Sequence, residues 1–227
     1  MIDYDVENAL YYGSLHYNEG MGYTDPADRE KRIECFQAAE ALYRCAAGKG
    51  SADANLYLGY VYSYDRCEGR YWLDPTMPAV DGRWGAYPRE ERAFECFSLA
   101  AEAGIAEACY KLGDLYKQGV GCDPDAEAAY RWYSRASELA AQGFEPPAVL
   151  GSIALRLAGC FEEDFGCAQS FSCALQMYQH AVAALETAVD NGDVWYEKAL
   201  AGARAGVKRC KQEIAQEFSP SLCSTVK

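Results

Sequence analysis

The chain has 227 residues, half of them hydrophobic, and a formal net charge of −13 with only two histidines. This charge repels nucleic acid phosphates and anionic membranes, so we expect neither as a partner and favour a basic or neutral protein or peptide. The first five residues lack the basic and apolar parts of a signal peptide, and no stretch reaches the roughly 18 apolar residues of a membrane span, so we expect a cytoplasmic protein.

Two helices are predicted in the first fifty residues. The first covers residues 4–20, and the glycines of the segment 20–22 form the turn after it. Asp25 and Pro26 begin or precede the second helix, which stops near residues 48–50.

A third helix is predicted from Ser51 or Asp53 to about Tyr64, and the regular pattern then breaks. The segment 65–88 is rich in glycine and proline, so we expect a long loop without a useful helix. Its aromatic residues favour an ordered loop that covers the flank of its own repeat, although the same residue types dominate protein interfaces. The candidate binding residues here are Arg70, Tyr71, Trp72, Arg83, Trp84 and Tyr87.

The most regular part of the chain is a helix, a glycine turn and a second helix. An apolar stripe on a 3.6-residue period predicts the first helix, and its members are Ala108, Leu112, Leu115 and Tyr116. The turn contains Gly119 and Gly121, and we expect Asp123 to cap the second helix with Pro124 at its first position. One such hairpin cannot bury its apolar stripes alone, so a stack of similar hairpins is expected.

The same unit recurs elsewhere in the chain. An offset of 54 pairs eight positions, among them Gly113 with Gly59 and Phe97 with Tyr43. An offset of 99 gives a degenerate first copy, in which Gly113 falls on Ser14. An offset of 38 gives a weaker copy with Gly151 in that place.

The repeated residues resemble the Sel-one-like repeat (SLR), a relative of the tetratricopeptide repeat. The resemblance is specific in residues 89–143, rests there on the glycine, alanine and aromatic positions, and is weaker after residue 151. It implies an all-α fold: an α/α superhelical solenoid of about four helix-turn-helix repeats, used as an adaptor or scaffold. The approximate repeats are 4–50, 51–104, 105–143 and 144–192, followed by a capping helix at 193–218, in a single domain of residues 1–227.

The later part of the chain is predicted to follow the same plan. Helices are expected at 89–103, 148–158 and 170–190, and an acidic, aromatic loop at 159–169 contains the candidate binding residues Phe161 and Phe165. Both long loops join the two helices of a repeat, so we expect them on one edge of the solenoid, where repeat proteins often bind. The run 162–164 could bind a hard cation, but a solvated loop is the default interpretation.

Cysteines and histidines give little sign of chemistry. The eleven cysteines do not recur at equivalent positions, no zinc-site spacing is present, and no motif of a nucleophile or phosphate loop occurs. We therefore expect no catalytic residue, metal or cofactor, and we interpret Cys35, Cys96 and Cys109 as small hydrophobic residues with free thiols. His16 and His180 are interpreted as structural.

Three functions remain open at this point. The first is a non-catalytic cytoplasmic adaptor that holds a protein or peptide on its concave face and long loops. The second follows from the resemblance, since some cysteine-rich SLR proteins are linked to β-lactam binding or cleavage. The third is a structural subunit that assembles through its end faces; the sequence leaves the oligomeric state open.

Overall fold

A computed structural model describes residues 4–70 and 88–217, and these residues form nine α-helices with no strand among them. The all-α fold class is therefore confirmed. In that part of the chain, no helix has both the length and the apolar character needed to cross a bilayer. The helices are α1 (Val6–Gly22), α2 (Arg29–Gly48), α3 (Ala52–Ser63), α4 (Arg89–Glu102), α5 (Ala106–Gln118), α6 (Ala126–Ala140), α7 (Pro147–Glu163), α8 (Phe171–Asp190) and α9 (Glu197–Glu217), and short 3-10 turns at Pro26–Asp28 and Val194–Tyr196 precede α2 and α9.

The helices are grouped in two compact units, Met1–Pro124 and Asp125–Lys227. In the first unit, each helix from α1 to α5 packs against the next helix in the chain. In the second unit, α6 packs on α7, α7 on α8, and α8 on α9. This neighbour-to-neighbour packing is what a repeat protein requires, because each helical pair buries its apolar stripe against the next pair. The single domain of residues 1–227 stays a prediction.

Helix ends follow the local chemistry of the sequence in most places. Ser51 caps α3, since its hydroxyl accepts from the backbone N–H of Ala54 at 3.2 Å. Ser170 caps α8 in the same way through the N–H of Cys173 at 3.3 Å. The residues predicted as an inward stripe of α5 are also confirmed, because Ala108, Leu112 and Leu115 are buried and Tyr116 is half-buried.

Glycines in the middle of helices allow close helix contacts. A Cβ atom on Gly13, Gly59 or Gly151 would lie 2.5 to 2.6 Å from a large side chain of the neighbouring helix, which is closer than packed atoms come. The side chains that cover them are, in order, Tyr43, Phe97 and Leu185. The equivalence of Tyr43 with Phe97 is thus confirmed. Gly13, and not Ser14, takes the place of Gly59 in the first copy, so the offset of 99 is one residue wrong at this position.

Two turns repeat the same backbone geometry, one in each unit. Gly119 and Asp164 both end a helix in the left-handed conformation, with φ of 68° and 55°. Two residues later, Gly121 and Gly166 have φ of 72° and 69° and lie against the carbonyl groups of Glu90 and Ala126. A side chain at either glycine would collide with that carbonyl, so both the conformation and the space require glycine. The hairpin of α7 and α8 is therefore a true copy of the regular unit, although Asp164 replaces the first glycine of the turn.

Three predicted boundaries are wrong. Residues 20–22 belong to α1 and do not form a turn, because Gly20 lacks a side chain and the Phe36 ring packs on it inside the hairpin. Asp125 caps α6 through the N–H of Ala128, whereas Pro124 lies outside the helix beside Gly119. The loop predicted at 159–169 is shorter, since α7 continues to Glu163.

The two glycines of α9 allow a direct test of close packing. Gly202 has open space around its Cβ position, whereas a Cβ on Gly206 would lie 2.5 Å from the Tyr178 ring. We expect Gly202→Ala to stabilise the chain by about 0.5–1 kcal/mol through helix propensity, and Gly206→Ala to destabilise it by about 1–3 kcal/mol through overpacking. Thermal unfolding followed by circular dichroism measures both. Equal shifts of the melting temperature in the two variants would contradict the packing of α9 on α8.

Candidate functional site

The structure describes three of the eight predicted binding residues. Tyr71, Trp72, Arg83, Trp84 and Tyr87 lie outside the described residues. Arg70 belongs to the first unit and is paired with Glu30, whose two carboxylate oxygens accept from Arg70 Nη1 and Nη2 at 2.7 and 3.0 Å. Gln37 donates to the carbonyl of Arg70 as well. These contacts fix the start of the long segment against α2, so Arg70 anchors the segment through its own unit.

Phe161 and Phe165 belong to the second unit and are half-buried. Phe161 lies on α7, and its ring meets that of Tyr130 edge to face at 6.0 Å between centroids. Phe165 follows the end of α7, where its N–H donates to the carbonyl of Cys160. The Phe161 ring thus packs within its own unit, and binding of a partner by Phe161 or Phe165 stays a prediction.

Glu162 is held inside a network of three helices. Arg209 of α9 donates to both carboxylate oxygens at 2.7 and 2.8 Å, and the Tyr178 hydroxyl of α8 donates to Oε2 at 2.5 Å. These hydrogen bonds, above all those from Arg209, lower the pKa of Glu162. Its oxygens are thus used within the unit, which disfavours the cation site considered for residues 162–164. Arg204 similarly donates to Glu186 at 2.7 Å, so these two basic residues of α9 complement acidic neighbours.

Tyrosines stand at equivalent positions of three repeats, Tyr17, Tyr62 and Tyr116, and they contribute aromatic packing in or at the edge of the core. Tyr62 is fully buried, and its hydroxyl donates to the buried Glu40 at 2.9 Å. Burial raises the pKa of Tyr62, which keeps the hydroxyl protonated and able to donate. Tyr17 and Tyr116 are half-buried, with their rings edge to face against Phe36 and Phe94.

A different set of tyrosines forms a groove in the first unit. Tyr60 of α3 and Tyr64, the residue that follows the end of α3, stack in parallel, with ring centroids 5.9 Å apart and planes only 5° apart. Across from them, the ammonium group of Lys111 on α5 lies 4.9 Å from the Tyr60 centroid and 5.9 Å from the Tyr64 centroid. We call this surface the tyrosine groove; it encloses about 360 Å³ and is lined by Tyr60, Ser63, Tyr64, Arg89, Glu90, Ala93, Phe97, Lys111, Asp114, Leu115, Gln118 and Val120.

The base of the tyrosine groove is firmly held. The Tyr60 hydroxyl donates to the Glu107 carboxylate, and burial raises the pKa of Tyr60 well above its ordinary value. Arg89 donates to the carbonyl of Tyr62 at 2.8 Å and to that of Ser63 at 3.2 Å, at the end of α3. By contrast, the Tyr64 side chain is exposed, at 53% of its surface. The groove thus combines a rigid wall with an accessible aromatic face.

Sequence reasoning missed the tyrosine groove, although part of its signal was present. Tyr57, Tyr60 and Tyr64 stand at i, i+3 and i+7, which places them along one side of a helix. The position of Lys111 over these rings depends on how α3 and α5 lie together in space, and no spacing within one helix reveals it.

Comparisons with known proteins agree with the fold and add a role. Residues 81–105 and 106–140 match the family model described as Sel1 repeat. A crystal structure of a Sel1 repeat protein from Oxalobacter formigenes superposes with a TM-score of 0.55 at 20% identity and covers 90% of this chain and 70% of that one. The likeness shows the fold class, an α/α solenoid, and confirms the predicted resemblance.

Two curated relatives from Schizosaccharomyces pombe are regulatory proteins. Chitin synthase regulatory factor 1 is 34% identical over 129 residues, which cover 56% of this chain and 22% of that protein. Chitin synthase regulatory factor 3 is 29% identical over 121 residues, covering 48% of this chain and 13% of that protein. The chain spans less than a quarter of the length of either relative.

The network around Glu162 predicts a pH-dependent contribution to stability. A lowered pKa in the folded state means that the charged carboxylate stabilises the fold above the ordinary glutamate pKa, and that this contribution disappears as the pH falls through the folded value. We expect Glu162→Gln to cost about 0.5–1 kcal/mol at pH 7, since Arg209 is half-exposed and the pair is partly screened. The difference from the unaltered chain should shrink below about pH 4.

The exposed Glu213 of α9 supplies the control for this measurement. Glu213→Gln should change the melting temperature little at any pH. A gap between Glu162→Gln and the unaltered chain that stays constant from pH 7 to pH 3 would contradict the ionic role of Glu162.

Proposed function

We propose that this chain, in which residues 81–140 match the Sel1 repeat, is a non-catalytic adaptor that binds a protein or peptide in the tyrosine groove. The observation that carries the proposal is the exposed Tyr64 ring, stacked on Tyr60 beside Lys111 and held on a rigid wall. Rigid aromatic side chains contribute large contact areas at low entropic cost and dominate the binding energy of protein interfaces.

The chemistry of the groove supports a basic or neutral segment as the partner. The exposed Tyr64 ring offers an aromatic face that a cation of the partner can contact. Glu90 and Asp114 add carboxylates to the groove lining, and the whole chain has a net charge of −13. A partner with lysine or arginine beside apolar residues would therefore gain from both the aromatic faces and the long-range field.

The relatives support a regulatory role. Both of those from fission yeast are described as regulatory factors of an enzyme, chitin synthase, and neither is described as an enzyme itself. We propose that this chain likewise controls or positions another protein by binding it. Residues of α3, α4 and α5 line the groove, and we propose that it lies on the concave face of the solenoid proposed for the whole chain.

The long segment 65–88 remains a second proposed contact region. Arg70, within the described part of this segment, pairs with Glu30 of α2. Its candidate contacts stay those predicted from the sequence: Tyr71, Trp72, Arg83, Trp84 and Tyr87. The buried cysteines Cys96 and Cys109 are in the reduced form, which suits the reducing cytoplasm that we keep as the proposed location.

Binding through the tyrosine groove can be tested by affinity capture followed by quantitative mass spectrometry. We expect Tyr64→Ala to capture at least tenfold less of the specific partner, because the exposed aromatic face of the groove is removed. A variant with Trp72→Ala and Trp84→Ala measures the contribution of the long segment. Trp195→Ala, which removes an exposed ring of the second unit, should retain the partner.

The same partners at the same yield in the groove variant and in the unaltered chain would overturn the proposal. Circular dichroism of each variant checks that the helices remain folded. If only the variant with Trp72→Ala and Trp84→Ala loses the captured partner, the binding region is residues 71–87 and not the tyrosine groove.

Two other functions are tested on the same material. A β-lactam hydrolase would turn over a chromogenic β-lactam, and we expect no turnover. A self-assembling structural subunit would show a molar mass that rises with concentration in light scattering. Turnover that disappears with a cysteine or serine substitution would establish the enzyme in place of the adaptor.

A further inference from the structure

The first hairpin brings together three side chains of the types that bind transition metals. His16 and Glu19 stand three residues apart on α1, and Cys35 faces them from α2. One ligand atom from each residue lies within 4.8 Å of the other two. His16 Nδ1 and Glu19 Oε2 are 3.8 Å apart, which is close to the separation of two ligands around a four-coordinate ion.

We propose that His16, Glu19 and Cys35 form a zinc site. An imidazole nitrogen, a carboxylate oxygen and a thiolate sulfur are the three ligand types that Zn²⁺ takes in proteins, with bond lengths of about 2.0–2.3 Å. The sulfur ligand excludes Mg²⁺ and Ca²⁺, which require oxygen. A carboxylate and a thiolate together supply two negative charges, so the charge of the ion is balanced within the site.

The surroundings of Glu19 fit this role. The Tyr23 hydroxyl donates to Glu19 Oε1 at 3.2 Å, whereas the Oε2 atom faces His16. The Tyr23 hydroxyl thus orients one oxygen of Glu19, while the Cys35 thiol and the His16 ring already contact the same carboxylate, so all three ligand groups converge on one point. Lys31, which lies 5.9 Å from the Tyr23 ring, pairs with Asp28 at 2.8 Å.

Accessibility also suits a metal site. His16 and Cys35 are half-buried, and Glu19 is exposed, so an ion can reach the three ligand atoms from solvent. With three protein ligands, the fourth position of a tetrahedral ion remains for water. Small rotations of the exposed side chains bring the ligand atoms from their present separations to the distances that Zn²⁺ requires.

No motif in the sequence indicated this site, because its ligands come from two helices. A histidine and a glutamate at i and i+3 share one helix face, but the sulfur ligand is 16 residues further along the chain, beyond the turn. The expectation of no metal site is revised here by the packing of α1 on α2. Metal binding would fasten these two helices together and stabilise the first hairpin.

The proposal is tested with zinc and cobalt on the full-length chain. We expect one Zn²⁺ per chain in a competition titration against a chromogenic chelator, and a thiolate-to-metal charge-transfer band when Co²⁺ is used. Cys35→Ser and His16→Ala should each weaken Zn²⁺ binding at least tenfold and remove the increase in melting temperature that zinc causes. Cys173→Ser, at an exposed cysteine outside the cluster, and His180→Ala should bind as the unaltered chain does.

Two results would overturn the zinc site. One is unchanged Zn²⁺ affinity in Cys35→Ser, and the other is an equal loss in Cys35→Ser and Cys173→Ser, which would show scattered binding to free thiols. Far-ultraviolet circular dichroism establishes that each variant is folded. Because binding is measured with the metal alone, the outcome is independent of whether the tyrosine groove binds a partner.

Discussion

The close contact between a glycine on one helix and a large side chain on the next is the interaction on which this fold depends. Gly59 lies under the Phe97 ring, Gly13 under Tyr43 and Gly151 under Leu185. In each pair the missing Cβ lets the larger side chain fill the space between two backbones, so the helices are held in one register by packing. Dense packing of this kind tolerates little added volume. These three positions therefore require glycine, and a larger residue would not fit.

The turns at the ends of the hairpins also require glycine, because they leave no room for a side chain. Gly121 and Gly166 lie against backbone carbonyls near the starts of α4 and α6, where a side chain has no room. The regular spacing of helices in each unit thus follows from a few glycine positions, while the apolar stripes supply the driving force. The tyrosine groove depends on this geometry, since Lys111 reaches the Tyr60 ring only because α3 and α5 are both packed against α4.

Periodicity and internal repetition were sufficient to predict the helical hairpins. Three such features could be recognised from the sequence alone: the stripe of Leu112 and Leu115, the cap at Ser51, and the equivalence of Tyr43 with Phe97. The predicted helix boundaries were wrong where packing between helices outweighed the local residue preferences. Residues 20–22 look like a turn by composition, yet contact with the Phe36 ring keeps Gly20 within α1.

Functional residues were harder to predict, because they depend on neighbours from different helices. The predicted Phe161 turned out to pack on Tyr130, whereas the groove residues Tyr60 and Lys111 are 51 positions apart and were not connected by any motif. Aromatic and charged residue types indicate binding only when their exposure is known, and exposure is a property of the packed fold.

The most direct test of the central claim is a double-mutant cycle at Gly59 and Phe97, measured by chemical unfolding. If the ring fills the space that glycine leaves, Gly59→Ala should be strongly destabilising with Phe97 present and much less so beside Phe97→Ala, with a coupling energy of about 1 kcal/mol or more. Additive effects of the two substitutions would contradict the claim that this contact holds the helices together.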